Sequence, residues 1–334
     1  MADIAVIGCG GWGTALAVMA DRWGHTVSLW SCFPEEIASL RRHGEHKKLL
    51  PGVPVSPRVA LTSDIACAAG KDLVILAVPS FAVEETARRL SGVLAPGATV
   101  VNVAKGIDAA THRRLSEIIR EALPKAEIAV LSGPSHAEEV ARGVPTLVTC
   151  ASADPAVAER VQEILMNPVF RIYVNSDLVG VELGGALKNV IALAAGICDG
   201  LDLGDNTKAA LMTRGLTEIA RLGVALGARA ETFAGLAGMG DLIVTCGSMH
   251  SRNRRAGILI GQGISPAEAV KTVGTVEGYL AAKAAHFLAP LAGVEMPIAE
   301  QCYRICYENA DPAASLTALM GRPRGHEVDE NWLG

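Results

Sequence analysis

A glycine-rich segment at residues 8–13, with the sequence GCGGWG, constrains the fold of this chain more than any other feature. It follows a run of branched apolar residues at positions 4–7, which predicts a buried strand. Residues 14–22 are good helix formers without proline or glycine, and the apolar run at 27–30 predicts a second strand. A strand, a glycine turn, a helix and a second strand within about 30 residues indicate a βαβ unit.

Three of these glycines, Gly8, Gly10 and Gly13, have the spacing G-x-G-x-x-G. In such a unit the first glycine permits a tight turn, and the second lets the backbone approach a pyrophosphate. The third lets the helix and the strand pack closely. The helix N-terminus also offers free N–H groups and the positive end of its dipole to phosphates. We therefore predict dinucleotide binding at residues 8–13, in preference to a purely structural glycine turn.

The composition indicates a globular chain with more than one domain. Its 334 residues, half of them hydrophobic and 19% charged, are enough for two sizeable cores. The net charge of −5 disfavours nucleic acid or an anionic membrane as a partner. Eight scattered cysteines without a C-x-x-C pair indicate reduced thiols in a cytoplasmic protein. We expect no signal peptide and no membrane span, because the first strand starts at Asp3 and the longest apolar run covers only residues 190–198.

The first half of the chain alternates predicted strands with predicted helices. Further apolar runs predict strands at residues 73–78, 99–104, 128–131, 146–150 and 170–174. The segments between them predict helices at residues 81–90, 112–122 and 156–165. This alternation predicts an α/β fold with a mostly parallel, doubly wound sheet, in which ligands bind at the carboxyl ends of the strands.

The pattern changes near Asp177, where strand-like runs give way to helical segments. Residues 177–200 and 206–222 predict two long helices, the second capped by Asp205 or Asn206. Ser265 begins a capping box followed by proline. We therefore expect a dinucleotide-binding domain at residues 1–176, a helical substrate and catalytic domain at 177–324, and a polar tail at 325–334.

Lys188 is a candidate acid or base on the first of these helices. Its neighbours on one helix face are almost all small, and they include two adjacent glycines, Gly184 and Gly185. Two glycines weaken a helix, so we expect another group to approach closely there. A desolvated lysine has a lowered pKa and can transfer protons near neutrality. The alternative is a lysine that extends along the surface to solvent, and the spacing leaves both open.

Three further segments carry groups that can bind an anion or transfer a proton. Ser251 and the basic residues after it form a cradle for an anion at a helix N-terminus, or else a solvated helix face. Asp241 follows three closely spaced glycines, which predicts unusual backbone torsions near a ligand; the alternative is a solvated carboxylate in a flexible loop. Lys105 follows the predicted strand at 99–104. His43 and His46 have no further ligands near them in the sequence, so we predict no metal site.

Taken together, several blocks of the sequence resemble the bacterial, NAD(P)-dependent glycerol-3-phosphate dehydrogenase family. The matching blocks are GCGGWGTALA (8–17), AVP (77–79), AKG (104–106), SGPSHAEEVARGVPT (132–146), VELGGALKNVIALAAGICDGLDLGDNTKAAL (181–211), GLAGMGDLIVTC (235–246), SRNRRAG (251–257) and VEG (276–278). The resemblance runs from residue 4 to about residue 310, and because the blocks occur in the family's order it is very specific.

The resemblance implies an N-terminal Rossmann-type domain and an all-helical C-terminal domain like that of 6-phosphogluconate dehydrogenase. It implies reversible hydride transfer between C2 of sn-glycerol 3-phosphate and NAD(P)+, which gives dihydroxyacetone phosphate. A cytoplasmic homodimer that supplies glycerol 3-phosphate for phospholipid synthesis is also implied.

The resemblance also implies roles for individual residues. Lys188 matches the proton donor and acceptor at C2, and the residues that match its surroundings are Lys105, Asn189, Asp241 and Thr245. The substrate-binding positions are Lys105, Gly133, Ser135, Lys188, Asp241, Ser251, Arg252 and Asn253. The cofactor-binding positions are Gly8, Gly10, Gly11, Trp12, Gly13, Lys105, Ala137, Arg252 and Glu277.

One departure from the pattern concerns the choice between NAD and NADP. An acid that selects NAD, or a base that selects NADP, usually follows the second strand. Here Cys32 replaces the usual discriminating residue, Glu35 and Glu36 come later, and Arg41 and Arg42 later still. The sequence therefore leaves both cofactors open.

Two other functions are compatible with the overall plan. One is a two-domain reductase of the hydroxy-acid or ketopantoate type, which also carries a lysine on the first helix of the second domain. The other is a dinucleotide-binding sensor without catalysis. The segments at residues 235–246 and 251–253 disfavour the first alternative, and the presence of Lys105, Lys188 and Asp241 disfavours the second.

Overall fold

The structure is a computed structural model that describes residues 1–324 and residue 326. The expected polar tail at 325–334 lies outside the described residues, apart from His326. The chain divides into two compact units. The first contains Met1–Ala104 and Leu115–Leu178, and the second contains Lys105–Arg114 and the described residues from Val179 onwards. The short segment Lys105–Arg114 therefore belongs to the helical unit, although it lies in the first half of the sequence.

Ten strands occur in the described part of the chain, all of them in the first unit. They are β1 Asp3–Ile7, β2 Thr26–Trp30, β3 Glu45–His46, β4 Leu50–Pro54, β5 Ala60–Thr62, β6 Leu73–Leu76, β7 Thr99–Asn102, β8 Glu127–Ser132, β9 Thr146–Ser152 and β10 Phe170–Asn175. Strands β3 and β4 form an antiparallel pair. The other eight form one sheet in the order β5-β2-β1-β6-β7-β8-β9-β10.

Six neighbouring strands of this sheet, from β5 to β8, are parallel, whereas β9 is antiparallel to β8. The prediction of a mostly parallel, doubly wound sheet is therefore confirmed. Both faces of the sheet are covered, because alternate residues of β1 enter different cores. Ile4 and Val6 pack into one cluster, and Ala5 and Ile7 into another.

The helices of the first unit connect the strands. They are α1 Gly11–Arg22, α2 Pro34–His43, α3 Val83–Ser91, α4 Leu115–Ala122, α5 Ala137–Arg142 and α6 Pro155–Leu165, with short 3₁₀ turns at Ile65–Ala68 and Ser80–Ala82. The helix expected from residue 112 begins only at Leu115. His112 has a φ of +58°, and the Asp108 carboxylate accepts the Thr111 N–H at 2.7 Å, so this segment is a turn.

The regular elements of the second unit are all helices among its described residues, and loops and the segment Lys105–Arg114 lie between or before them. Its helices are α7 Leu178–Gly200, α8 Asp205–Ala225, α9 Ala230–Phe233, α10 Asp241–Gly247, α11 Arg252–Gly261, α12 Pro266–Val273, α13 Glu277–Leu291, α14 Pro297–Glu308 and α15 Pro312–Met320, with a π-helical turn at Leu236–Gly240. The predicted caps of α11 and α12 are confirmed, since the Ser251 and Ser265 hydroxyls each accept a backbone N–H of the first turn. The predicted cap of α8 is wrong. Gly204 occupies the N-cap, and Asp205 lies inside the first turn.

Helices α7 and α11 touch through their backbones. A Cβ atom on Gly196 would lie 2.0 Å from the Arg254 carbonyl oxygen, and one on Gly257 would lie 2.1 Å from the Leu193 carbonyl oxygen. The glycines therefore let the two helices approach to a distance that no side chain permits. By length and composition α7 is apolar enough to cross a membrane. However, 94% of its most apolar 18-residue stretch is buried inside the structure, as in the core helix of a globular unit.

Candidate active site

The glycine-rich turn between β1 and α1 has a tightly constrained backbone. Gly8 has a φ of +122°, and a Cβ atom there would lie 2.6 Å from the Ala77 carbonyl oxygen. A Cβ atom on Gly13 would lie 1.9 Å from the Gly8 carbonyl oxygen. Gly10 differs, because no atom lies within 4 Å of the position its Cβ would take. The turn is therefore closed by backbone at Gly8 and Gly13 and open to a ligand at Gly10.

The surroundings of this turn fit the pyrophosphate of a dinucleotide. The sheet order reverses direction between β1 and β6, which places the turn at the switch point where such sheets bind ligands. Gly10 caps α1 without a side-chain hydrogen bond, so no side chain occupies the free N–H groups of the first turn. The buried Nε1 of Trp12 also has no acceptor among the described residues. These donors can bind phosphate oxygens.

Gly133, Ser135 and Ala137 lie at the same edge of the sheet, just after β8. Gly133 has a φ of +137°, and the Ser135 hydroxyl donates to its carbonyl oxygen at 2.9 Å. Ala137 begins α5 directly after this turn. Because β8 is parallel to β1 through the intervening strands, all three residues follow the carboxyl end of a strand.

Lys188 is buried in the second unit, with 4% of its surface exposed. Its Nζ forms an ion pair with Asp241 Oδ1 and donates to the Thr245 hydroxyl at 2.6 Å. Lys105 Nζ lies 2.8 Å from the other carboxylate oxygen, Asp241 Oδ2. The alternative of a lysine extended to solvent is therefore excluded. Two ammonium groups share one carboxylate in a nearly dry environment.

Burial and charge act in opposite directions on this group of residues. Burial lowers the pKa of Lys188 to about 8, helped by the charge of Lys105 and opposed by the Asp241 carboxylate. Burial alone would raise the pKa of Asp241, but Lys105 and Lys188 outweigh it and hold that pKa below its ordinary value. Asp241 is therefore ionised at neutral pH, whereas Lys188 can release a proton near neutrality.

A row of buried amides fixes the segments that carry this group. The Asn189 side chain donates to the Lys105 carbonyl at 3.0 Å and accepts from the Asn253 amide at 2.8 Å. Asn253 in turn accepts the Gly278 N–H at 2.8 Å. A Cβ atom on Gly278 would lie 2.3 Å from the Asn189 carbonyl oxygen. The role of Gly278 is not predictable from its place in the sequence, because this contact joins helices that are far apart in the chain.

The serine and arginines at the start of α11 divide into two groups. Ser251 is buried, and its hydroxyl accepts the Arg254 N–H at 3.2 Å. The Arg254 side chain is held by Asp199 at 2.7 Å and by the Gly247 carbonyl. Arg252 and Arg255 are exposed. An anion at this helix N-terminus would therefore meet Arg252 rather than Arg254.

The glycines that precede Asp241 adopt ordinary torsions, so the prediction of unusual ones is wrong. Among the described glycines of this segment none has a positive φ. Gly238 is required instead by close packing, since a Cβ atom there would lie 2.1 Å from the Phe233 carbonyl oxygen. The segment forms a π-helical turn that leads into α10, and Asp241 begins that helix with only 1% of its surface exposed. The alternative of a solvated carboxylate is wrong as well.

A Rossmann-type sheet with a glycine-rich turn, joined to a helical unit with a buried lysine and carboxylate, defines a class of two-domain proteins. Two family models narrow this class. The N-terminal model of NAD-dependent glycerol-3-phosphate dehydrogenase matches residues 3–158, and the C-terminal model matches residues 177–317. The chain belongs to this family.

Individual proteins agree with the family models. The chain is 55% identical over 330 residues to a glycerol-3-phosphate dehydrogenase [NAD(P)+] of Moorella thermoacetica, covering 98% of each protein. It also matches the crystal structure of a glycerol-3-phosphate dehydrogenase from Coxiella burnetii with a TM-score of 0.92 and 38% identity, covering 96% of this chain and 99% of that one. A ketopantoate reductase from Ralstonia eutropha shares the fold alone, at 16% identity and a TM-score of 0.58 over 94% of this chain and 99% of that one.

Proposed function

We propose that this chain catalyses reversible hydride transfer between C2 of sn-glycerol 3-phosphate and NAD(P)+, giving dihydroxyacetone phosphate and NAD(P)H. The observation that carries the proposal is the Lys188 ammonium, buried between Asp241 and Thr245 in a member of the glycerol-3-phosphate dehydrogenase family. The dinucleotide, when bound, supplies or accepts the hydride. The residues described below bind, orient and protonate the substrate.

Lys188 is the proposed proton donor in the direction of reduction. As hydride adds to C2 of the ketone, the electron pair of the C=O bond moves to oxygen. An ammonium has three protons to donate, and Lys188 uses two of them on Asp241 and Thr245. The third is available for the developing alkoxide, and its transfer gives the hydroxyl of the product and a neutral amine. The Lys105 charge stabilises the same oxygen electrostatically, and Asp241 positions both lysines.

The phosphate of the substrate is proposed to bind at the start of α11. This helix spans ten residues, and its first N–H groups and dipole favour an anion. Arg252 supplies an exposed guanidinium, while Ser251 and Asn253 contribute polar side chains of the same turn. Gly133 and Ser135 are the further substrate contacts proposed. Binding the remote phosphate would orient C2 and so favour the transition state.

We propose dinucleotide-binding residues on two grounds, the geometry of the glycine-rich turn and the match to cofactor-binding positions of the family. These residues are Gly8, Gly10, Gly11, Trp12, Gly13, Lys105, Ala137, Arg252 and Glu277. Residues 1–176 are accordingly proposed as the dinucleotide-binding domain and residues 177–324 as the substrate and catalytic domain. The grouping of Lys105 with the helical unit supports its role beside Lys188.

The cellular setting is proposed from the family and from the composition. We expect a cytoplasmic homodimer that binds neither membranes nor nucleic acid and supplies glycerol 3-phosphate for phospholipid synthesis. Its net charge of −5 agrees with the absence of nucleic acid as a partner.

The experiment that tests the reaction is an assay of nicotinamide oxidation with dihydroxyacetone phosphate, run beside ketopantoate and a small 2-keto acid. Of the three ketones, we expect only dihydroxyacetone phosphate to be reduced. Turnover with one of the other ketones instead would support the alternative reductase. Binding of the dinucleotide without turnover of any ketone would support a sensor.

A further inference from the structure

The side chain of Glu36 lies where the second strand meets the glycine-rich turn. Strand β2 ends at Trp30, whose carbonyl oxygen accepts the Gly8 N–H at 3.0 Å. Glu36 lies in the first turn of α2, six residues beyond the strand, yet its carboxylate accepts the Ser31 hydroxyl at 2.6 Å. The helix therefore returns a carboxylate to the end of β2, the place of the acid that binds the adenosine ribose in NAD-selective sheets.

The same carboxylate also contacts the glycine-rich turn itself. The Cys9 thiol donates to Glu36 at 3.1 Å. Burial raises the pKa of Cys9 to about 12, so the thiol keeps its proton and acts as a donor. Both Ser31 and Cys9 bind the same oxygen, Oε2. The other oxygen, Oε1, has no donor among the described residues, and Glu36 is half-buried rather than fully covered. One carboxylate oxygen is thus fixed, and the other is available to a ligand.

Three arginines lie in the region around Glu36, but none of them forms an ion pair with its carboxylate in the described residues. Arg41 is bound to the Leu61 carbonyl. Arg42 is six residues beyond Glu36 on α2, which places it about 9 Å along the helix axis and on a different face. Arg89 lies over the Trp30 ring, with its guanidinium 5.1 Å from the ring centroid.

His46 is a further titratable neighbour, close enough for the charge of Glu36 to act on its imidazole. Its pKa is lowered by burial, although the charge of Glu36 opposes this, and its Nδ1 accepts the Leu49 N–H at 3.2 Å. A neutral imidazole leaves the negative charge of Glu36 uncompensated.

We propose that Glu36 makes this chain select NAD(H) over NADP(H), because Oε1 is placed to accept the ribose 2′-hydroxyl and the carboxylate repels a 2′-phosphate. This inference rests on the proposed function. It assigns NAD(H) as the preferred cofactor, a preference that the sequence around Cys32 leaves open. Cys32 itself is exposed and offers a thiol, not the carboxylate or basic group that distinguishes the two cofactors.

The test measures binding without catalysis. Isothermal titration calorimetry gives the Kd values of NADH, NADPH, ADP-ribose and 2′-phospho-ADP-ribose for the wild type, for Glu36→Gln and for Glu35→Gln. Glutamine has nearly the shape of glutamate and keeps an oxygen for Ser31, but it lacks the charge. Glu35 is the matched control, since it is exposed and adjacent in the same helix.

The wild type should bind NADH at least about tenfold more tightly than NADPH, and ADP-ribose at least about tenfold more tightly than 2′-phospho-ADP-ribose. A factor of ten is what one hydrogen bond to a charged group contributes to affinity. Glu36→Gln should remove most of that preference, and Glu35→Gln should keep it. A wild type that binds NADPH as tightly as NADH overturns the proposal without any variant. So does a preference that survives in a folded Glu36→Gln protein. If the wild type bound none of the four ligands, the proposed function would fail as well.

Discussion

Lys188 and Asp241 form an ion pair in which the two side chains are only 5% and 1% exposed. Charges this deeply buried depend on one another, because removal of one leaves the other without water or a partner. Here the dependence is sharper, since Lys105 occupies the second oxygen of the same carboxylate. Asp241 therefore stabilises the charges of two lysines at once, and its removal should affect both folding and proton transfer.

Asp241→Asn should lower the free energy of unfolding by about 3–5 kcal/mol, the cost of breaking a buried ion pair by removing one partner. The reason is that two ammonium groups would face each other without a counter-ion. Urea denaturation followed by circular dichroism measures this change. Glu295→Gln is the control, because Glu295 forms an ion pair with Arg322 in which its side chain is 77% exposed. Equal stability of the two variants would contradict the account.

The buried carboxyl group of Glu218 should make the stability of the fold depend on pH, independently of the candidate active site. It is buried and accepts the N–H groups of Ile298 and Ala299 at the start of α14. Burial raises its pKa from 4.5 to about 7. The native state therefore holds the proton more tightly than the unfolded state does. The protonated form contributes its full stability below pH 4.5, and that contribution is lost as the pH rises through about 7.

Glu218→Gln should remove this dependence, since the amide does not ionise. Between pH 5 and pH 8 the wild type should lose about 2.5 kcal/mol of stability relative to the variant, at 1.36 kcal/mol per pKa unit. Denaturation midpoints of both proteins across this range give the difference directly. A difference that stays constant, or one that grows in the opposite direction, would show that Glu218 does not titrate in this way.

Gly10→Ala and Gly13→Ala should separate ligand binding from folding. Space is open at Gly10, so alanine there should leave the melting temperature close to that of the wild type while it weakens NADH binding by tenfold or more. At Gly13 the new Cβ would meet the Gly8 carbonyl oxygen at 1.9 Å, which forces the turn apart. That variant should lose about 1–3 kcal/mol of stability or more. Thermal melts and NADH titrations of both proteins would be needed, and unimpaired binding by Gly10→Ala would refute the role of this glycine.

Arg252→Ala should raise the KM for dihydroxyacetone phosphate by about tenfold or more, because a charge-assisted hydrogen bond to the phosphate is lost. Arg255→Ala is the matched control. It removes the side chain of another exposed arginine from the same helix, three residues further on. Steady-state kinetics at saturating NADH distinguishes the two. An unchanged KM in Arg252→Ala, or equal increases in both variants, would remove Arg252 from the proposed phosphate site.

The parts of the fold that depend on local pattern were predictable from the sequence. The alternation of strands and helices up to residue 175 and the change to helices beyond it follow from the period of apolar residues. The caps at Ser251 and Ser265 follow from the chemistry of a single turn. The cap of α8 is not predictable in this way, because a glycine takes the N-cap position there without a side-chain hydrogen bond, whereas Asp205 and Asn206 are the residues that capping chemistry favours.

What was not predictable depends on contacts between distant residues. The burial of Lys188 is decided by Asp241 and Thr245, which are 53 and 57 positions away. The same is true of Gly238, whose need to be glycine comes from the Phe233 carbonyl rather than from its own torsion. Glu36 returns to the strand end only because α2 turns its first residues back toward Ser31 and Cys9. No spacing in the sequence encodes that geometry.

The pH dependence of reduction should follow the state of Lys188. A proton donor must be protonated, and the pKa of Lys188 is lowered to about 8 by its burial. We therefore expect kcat for reduction of dihydroxyacetone phosphate at saturating NADH to be level near pH 7 and to fall tenfold per pH unit above about 8. A rate that rises through this range would contradict proton donation by Lys188.

Proton donation at C2 by Lys188 can be measured by single-turnover reduction of dihydroxyacetone phosphate by Lys188→Met with NADH already bound. We expect NADH to bind with an unchanged Kd while the rate of hydride transfer falls by about 10²–10⁴-fold, the usual contribution of a positioned acid. A variant that still binds NADH and transfers hydride within a few-fold of the wild-type rate would contradict the account.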